Sequence, residues 1–231
     1  MLQAILLGAA AQAALVLSGL LVFKVSFSDR FVGILAGFGV GALIEAIAFD
    51  LIAETKDLSH FEFALWMLLG AAVFLVGDAL VEKRFGDDGG GGQAMGIVVG
   101  SVVDGVPESI IFGIQVATHF PISLGFLAAV FVSNFPQAIA PSADLAKSGW
   151  KMGRLVGMWS LVLLACAVAS GLGFAAASAF SSVNGDRMAA LAAGGLLSMI
   201  ADSMMPFAVK RGGQYVAIAV VVGFCLPLMF G

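Results

Sequence analysis

The chain of 231 residues is 61% hydrophobic and only 11% charged. Soluble domains carry about 25% charged residues, so this composition excludes an ordinary soluble protein and predicts a polytopic membrane protein. The net charge of −4 comes from acids divided between loops and apolar segments, so it indicates neither an acidic surface patch nor a nucleic-acid partner.

Apolar stretches long enough to cross a bilayer recur along the whole chain. A spanning helix needs about 20 mostly apolar residues, and this rule predicts eight transmembrane helices in a single transmembrane domain, 1–231. We expect the first stretch to be a spanning helix, because no basic residue precedes it as one would in a secretory signal peptide. The predicted segments are 2–23, 32–53, 62–81, 94–117, 121–145, 154–178, 187–208 and 213–230.

Lys and Arg residues are distributed unequally between the connecting loops. The loops after the first, third, fifth and seventh helices hold nine of them, whereas the other loops hold only Lys56 and Arg187. Basic residues concentrate in cytoplasmic loops. The pattern therefore predicts a multi-pass protein of the cell (inner) membrane with both termini extracytoplasmic.

Two pairs of segments indicate an internal repeat. Helix 2 reads GALIEAIAFDLIAE from Gly41, and helix 7 reads GGLLSMIADSMMPF from Gly194, so small residues start both and acids lie near both far ends. In helices 4 and 5, Pro107 matches Pro136. Transporters are often built from repeats whose interface forms the binding site, so we expect a three-two-three arrangement with helices 4 and 5 at the centre.

Six carboxylates lie within predicted spanning segments that have no Lys or Arg in the same central regions. An ionised side chain near the bilayer centre costs about 2.5–3.5 kcal/mol, so each acid must be protonated, paired or balanced by a bound cation. For Asp50 and Asp78 a structural or interfacial role is the simpler interpretation. The six are Glu45, Asp50, Asp78, Asp104, Glu108 and Asp202.

The stretch DGVPES in helix 4 combines two of these acids with a proline. Asp104 and Glu108 are four residues apart, so they share one helix face at about 6 Å along the axis. Pro107 removes a backbone donor and displaces the carbonyl of Val103. Helix 5 adds a neutral counterpart in SNFPQA, and the two stretches together predict an oxygen-rich cation pocket. The supporting ligands predicted in helix 5 are Ser133, Asn134 and Gln137.

Other kinds of chemistry find no support in the sequence. Cys166 and Cys225 lie in separate apolar runs without a CxxC or histidine partner, so we interpret both as packing residues. There is no Ser/His, Cys/His or HExxH set, so the chain is not expected to be an enzyme. No spanning segment offers a mid-membrane lysine for a retinal Schiff base.

These motifs resemble the ZIP family of metal transporters across essentially the whole chain. ZIP proteins have eight spanning helices, both termini outside, a 3+2+3 inverted repeat, and His-Asn-x-Pro-Glu-Gly in helix 4 with a similar Pro-Glu-Gly in helix 5. The stretches DGVPES, SNFPQA and ADSMMP also look like the DGxPES, SNxP and AD-x-M-x-P signatures of a bacterial ZIP-like subgroup. The resemblance implies an all-α polytopic membrane protein that carries a zinc-like divalent cation inward.

The sequence departs from the family pattern at the ligand positions. The family's helix 4 histidine and asparagine are Asp104 and Gly105, its helix 5 glutamate is Gln137, and 155–178 in helix 6 contains no acid or histidine. Zinc prefers nitrogen and sulfur donors, whereas oxygen-only sets suit harder cations. We therefore expect Zn from the resemblance, with Mn, Mg or Cd as alternatives from the ligand chemistry.

The sequence thus predicts a secondary transporter that moves a divalent cation by rocking or sliding of one helix bundle. Asp104 and Glu108 are the expected principal ligands, and Glu45 and Asp202 are expected at the entrance or exit of the pathway. The expected partners are metal ions, the lipid bilayer and a second copy of the chain in a homodimer. Two alternatives remain open: a ZIP-like protein whose altered site carries another cation or serves structural binding or regulation, and a carrier of protons, monovalent ions or an organic cation.

Overall fold

The polypeptide is helical, without strands, in the part that a computed structural model describes: residues 1–53, 55, 57–85, 92–118, 124–179 and 185–229. Of 81, 82, 84, 85, 92–99 and 103 only the backbone is described. The elements in chain order are α1 (Leu2–Leu21), α2 (Asp29–Ala46), the π-helical segment π1 (Ile47–Ile52), α3 (His60–Phe85), α4 (Gly92–Ala117), α5 (Leu124–Lys147), α6 (Met152–Ala179), α7 (Gly185–Met199), the π-helical segment π2 (Ile200–Met204), α8 (Met205–Gly212) and α9 (Tyr215–Leu228).

Within the described residues, six helical stretches are long and apolar enough to cross a membrane, and α9 is a shorter apolar helix of 14 residues. Helices are favoured because the bilayer core offers no water to hydrogen-bond an open backbone. The chain is therefore an all-α membrane protein, and the count of eight spanning helices stays a prediction. The predicted start at 121, the predicted end at 230 and Lys56 lie outside the described residues. The six stretches are Leu2–Leu21, Asp29–Ile52, His60–Leu80, Leu124–Lys147, Met152–Ala179 and Gly185–Gly212.

Several helix ends carry recognisable local signals. The hydroxyl of Ser28 accepts a hydrogen bond from the backbone N–H of Phe31 at 3.2 Å and caps α2. Beyond α5, Gly149 adopts a φ of 91°, and the N–H of Trp150 donates to the carbonyl of Leu145 at 3.0 Å. This pairing closes the last turn of α5, because a glycine tolerates the left-handed conformation that the motif requires.

The segments predicted as helices 2 and 7 are both interrupted by a π turn. In π2 the cause is visible in the sequence: Pro206 has no N–H, and its ring would clash with the carbonyl of Asp202 in a regular α-helix. A wider turn before Pro206 relieves this clash. Nothing in the structure explains π1 in the same way.

Contacts between Cα atoms divide the chain into two compact units. Unit 1 comprises Met1–Ala9, Leu51–Ile122 and Leu164–Met199, whereas unit 2 comprises Ala10–Asp50, Ser123–Leu163 and Ile200–Gly231. Among the described residues, the chain passes from one unit to the other within α1, π1 and α6 and at the junction of α7 with π2. Each unit therefore has its own set of helix packing contacts.

In unit 1, α3 packs against α7, and α4 packs against both. A Cβ atom at Gly70 would overlap the carbonyl oxygen of Leu191, and one at Gly113 would overlap the carbonyl oxygen of Ser170. Glycines therefore let α3 approach α7, and α4 approach α6, until their backbones touch. The hydroxyl of Ser170 also donates a hydrogen bond of 2.7 Å to the carbonyl of Ala4 in α1.

In unit 2, α2 packs against α5, α8 and α9. A Cβ atom at Gly41 would overlap the carbonyl oxygen of Val220, so α2 and α9 also meet backbone to backbone. Near the start of α2, the guanidinium of Arg211 lies 2.6 Å from the carboxylate of Asp29. The buried indole of Trp159 in α6 donates a 2.8 Å hydrogen bond to the hydroxyl of Ser142 in α5.

Alanine substitution at two glycines tests the backbone contacts. Gly41→Ala should lower the free energy of unfolding by about 1–3 kcal/mol, because the new methyl group forces α2 away from the carbonyl of Val220. Gly77→Ala is the matched control, since no atom lies within 4 Å of its added Cβ. This control should stabilise α3 by about 0.5–1 kcal/mol. Melting temperatures in detergent check both, and an equal response of the two variants would contradict the packing described.

Candidate functional site

The predicted acidic pair of helix 4 lies in unit 1. The helix α4 continues through Pro107, so Asp104 and Glu108 lie one turn apart on the same face. The side chain of Glu108 is completely buried, and that of Asp104 is half-buried. Since proline has no N–H, the carbonyl of residue 103 loses its regular helical donor. One carboxylate is therefore enclosed in protein, with a second one turn away.

A buried thiol lies beside this acidic pair. Cys166 in α6 is completely buried, and its sulfur lies near the carboxyl group of Glu108 and the hydroxyl group of Ser109. The sequence analysis interpreted Cys166 as a packing residue. Its proximity to Glu108 depends on how α6 crosses α4. No local spacing motif encodes this crossing, so the proximity could not be predicted from the sequence. The donors around Glu108 thus include sulfur as well as oxygen.

The predicted neutral ligands of helix 5 lie in unit 2. Ser133 and Asn134 are buried, and Gln137 is half-buried. The hydroxyl of Ser133 donates a 2.9 Å hydrogen bond to the carbonyl of Val130, which leaves its oxygen lone pairs as acceptors. The amide nitrogen of Gln137 is buried and has no hydrogen-bond partner within the described ranges. All three side chains offer neutral oxygen atoms and no charge.

Glu45 and Asp50 line a cavity of about 560 Å³ in unit 2. The end of α2 with π1, the start of α5 and the end of α9 form its walls. Glu45 lies in the last turn of α2 and Asp50 lies within π1, and both side chains line the same cavity. They interact electrostatically with each other. A structural or interfacial role was expected for Asp50. It lines the same cavity as Glu45, which is a predicted residue of the cation pathway.

The two remaining acids lie elsewhere. Asp202 is exposed within π2 and does not line the cavity that contains Glu45. In unit 1, Asp78 and Pro107 line a separate apolar groove of about 370 Å³ between α3, α4 and α7. Both acids thus lie at surfaces of their own unit.

The described residues set a limit on the strength of any metal site. Among them, no group of three or more His, Cys, Asp or Glu side chains is arranged to hold a metal ion. Asp104, Glu108 and Cys166 are thus not arranged together as a metal-holding group, and a cation at Glu108 would need neutral oxygen donors. No protein-family model matches the chain, and no curated protein matches its sequence.

Thiol reactivity tests the enclosure of this site. Cys225 is exposed and Cys166 is buried, so N-ethylmaleimide should label the folded protein at Cys225 alone, and at both cysteines after denaturation. Mass spectrometry of the peptides identifies the labelled position. The Cys225→Ser variant serves as control and should remain unlabelled when folded. Equal labelling rates at the two cysteines would show that the surroundings of Glu108 are open.

Proposed function

We propose that the chain is a ZIP-type secondary transporter with eight spanning helices that moves a zinc-like divalent metal cation inward across the cell (inner) membrane. The observation that carries this proposal is the complete burial of Glu108 one helical turn from Asp104. The sequence of α4 contains no Lys or Arg. A carboxylate so enclosed in a spanning helix favours a cation as its counterpart.

The donor set supports zinc or cadmium over harder cations. Asp104 and Glu108 are the principal ligands in this proposal, and the thiol of Cys166 adds the soft donor that the oxygen-only pattern lacked. Zinc and cadmium accept mixed sulfur and oxygen donors, whereas magnesium and manganese prefer oxygen alone. Binding would release the thiol proton, since the thiolate is the metal ligand. Ser133, Asn134 and Gln137 complete the proposed ligand set, with Glu45 and Asp202 at the entrance or exit.

The proposed 3+2+3 repeat is supported by glycine contacts that recur at one fixed spacing. Positions 41 and 194 differ by 153, as do 67 and 220, 70 and 223, and 38 and 191. The two π segments also start 153 positions apart, at Ile47 and Ile200. Chance would not relate four backbone contacts and two helix irregularities by a single offset. The matching contacts are Gly41 with Val220, Gly194 with Met67, Gly223 with Phe38 and Gly70 with Leu191.

Transport in this proposal needs no nucleotide, because the cation moves down its own gradient or that of a coupled ion. The anionic donors offset the loss of the cation's water shell when it enters the protein. Rocking or sliding of one helix bundle against the other would then expose the loaded site to the opposite face. Both termini are extracytoplasmic in the proposed orientation.

A second candidate function is a ZIP-like protein with an altered site that carries a different cation or binds one for structure or regulation. The absence of a three-member His, Cys, Asp or Glu group among the described residues favours this candidate. A structural or regulatory role predicts metal binding without metal flux, and a carrier role predicts flux of a cation other than zinc. Uptake and equilibrium binding must therefore be measured on the same preparation.

Charge removal at the acidic pair tests the transport proposal. Glu108→Gln and Asp104→Asn should each reduce zinc uptake into reconstituted vesicles by about tenfold or more, because a charged ligand is replaced by a neutral one of similar shape. Asp144→Asn is the control, since this exposed acid pairs with Lys147 at the end of α5. Elution volume and melting temperature verify folding. Normal uptake by both α4 variants would refute the site.

Cadmium spectroscopy tests the role of the thiol. Cadmium bound to the wild-type protein should give the ultraviolet charge-transfer absorption of a cadmium–thiolate bond, and Cys166→Ser should lose it. Cys225→Ser should keep the absorption, because Cys225 is exposed on α9. An unchanged spectrum in Cys166→Ser would exclude Cys166 from the ligand set.

A further inference from the structure

The cavity around Glu45 and Asp50 in unit 2 has the size and lining of a small-molecule site. Its volume of about 560 Å³ lies within the range of roughly 300–1,000 Å³ that is typical of ligand pockets. Its other lining residues are apolar, with walls from Phe38, Leu124 and Leu226 among others. Typical ligand pockets also combine apolar walls with a few polar groups that fix orientation.

The polar group deepest in this cavity is an acid without a neutralising neighbour. Glu45 is only 6% exposed, and within the described part of the chain it makes no hydrogen bond. Its electrostatic neighbour, Asp50, carries charge of the same sign. No Lys or Arg belongs to the described lining. A buried carboxylate in this position requires a proton or a cation, and the cavity beside it has room for a cation of substantial size.

The apolar walls discriminate between kinds of cation. A dehydrated divalent metal needs about six oxygen ligands, and the described lining offers no polar side chain besides the two acids. A hydrated metal ion would direct its outer water hydrogens at carbon atoms that accept no hydrogen bonds. An organic ammonium ion suits both the acids and the apolar walls, because its N–H groups donate to carboxylates while its hydrocarbon part contacts the walls.

We propose that this cavity binds an amphipathic organic ammonium ion, held by Glu45 and Asp50 at its charged end and by the apolar residues of α2, α5 and α9 along its body. This inference goes beyond the transport of a metal cation and does not depend on Glu108. It assigns Glu45 to a binding site of its own. It also gives a location to the organic cation that the sequence left open.

The test uses 2-phenylethylammonium as probe and the protein in nanodiscs of phosphatidylglycerol, which has no amine. Saturation-transfer NMR should detect binding of the probe but not of 2-phenylethanol, its neutral analogue. Glu45→Gln and Asp50→Asn should each weaken binding by about tenfold or more, as expected for loss of a charge-assisted hydrogen bond. Ala128 lines the cavity at an exposed position. Ala128→Trp should therefore block the cavity with the bulk of the indole ring while leaving both acids in place.

A melting-temperature measurement keeps the test independent of variant folding. Saturating probe should raise the melting temperature of the wild-type protein, whereas 2-phenylethanol at the same concentration should not. Equal binding of the neutral analogue would overturn the proposal and indicate apolar partitioning. Displacement of the probe by phosphatidylethanolamine would support ammonium recognition and identify a lipid head group as its source, whereas loss of competition with phosphatidylglycerol in its place would exclude general lipid displacement.

The Glu108→Gln variant separates this inference from the proposed function. It should lose metal uptake and retain binding of the probe, because the two sites use different acids. If Glu108→Gln abolishes probe binding, the cavity is not an independent site and the inference is wrong, while the transport proposal stands. If uptake is unaffected in Glu108→Gln but the probe still binds, the transport proposal fails and the cavity remains.

Discussion

Contact between helix backbones is the constraint on which the rest of each unit depends. Lipid tails are as apolar as leucine, so helices in a bilayer gain little by hiding hydrophobic side chains from their surroundings. They gain instead from close packing, which glycine permits by leaving the backbone bare. In unit 1, Gly113 brings α4 against α6, and the position of Cys166 beside Glu108 follows from that crossing. Packing thus determines which donors surround the enclosed acid.

The two deeply buried acids have opposite kinds of surroundings. Glu108 is completely buried, with a thiol and a hydroxyl nearby. Glu45 is equally removed from water but borders an apolar cavity and a like charge. In the two proposals, the carboxyl group of Glu108 would therefore favour a small, directly coordinated ion, and that of Glu45 would favour a larger, partly apolar ion. Desolvation is common to both, and the neighbouring atoms make the difference.

Length and hydropathy suffice to predict the helices, because satisfying the backbone within lipid leaves few alternatives. The acids of α4 could also be predicted, since their i,i+4 spacing survives in a helix that continues through Pro107. The π segment π1 could not, because a change of hydrogen-bond ladder leaves no mark in apolar periodicity, whereas Pro206 is a sequence signal for π2. Cys166 could not be predicted either, since its neighbours come from a distant helix. Orientation, the ZIP resemblance and the ligand set stay predictions.

The fixed offset of 153 residues has a consequence for energetics. In a transporter made of two identical inverted halves, a two-fold rotation about an axis in the membrane plane would relate the inward-facing and outward-facing states, and their free energies would be equal. Here Glu45 and Asp50 correspond to Ser198 and Ser203, so the framework repeats while the acids do not. An occupant held by the acids of one half alone would stabilise one of the two states. In the proposed transporter, the unequal charge of the two halves would set which way the empty and the loaded protein face.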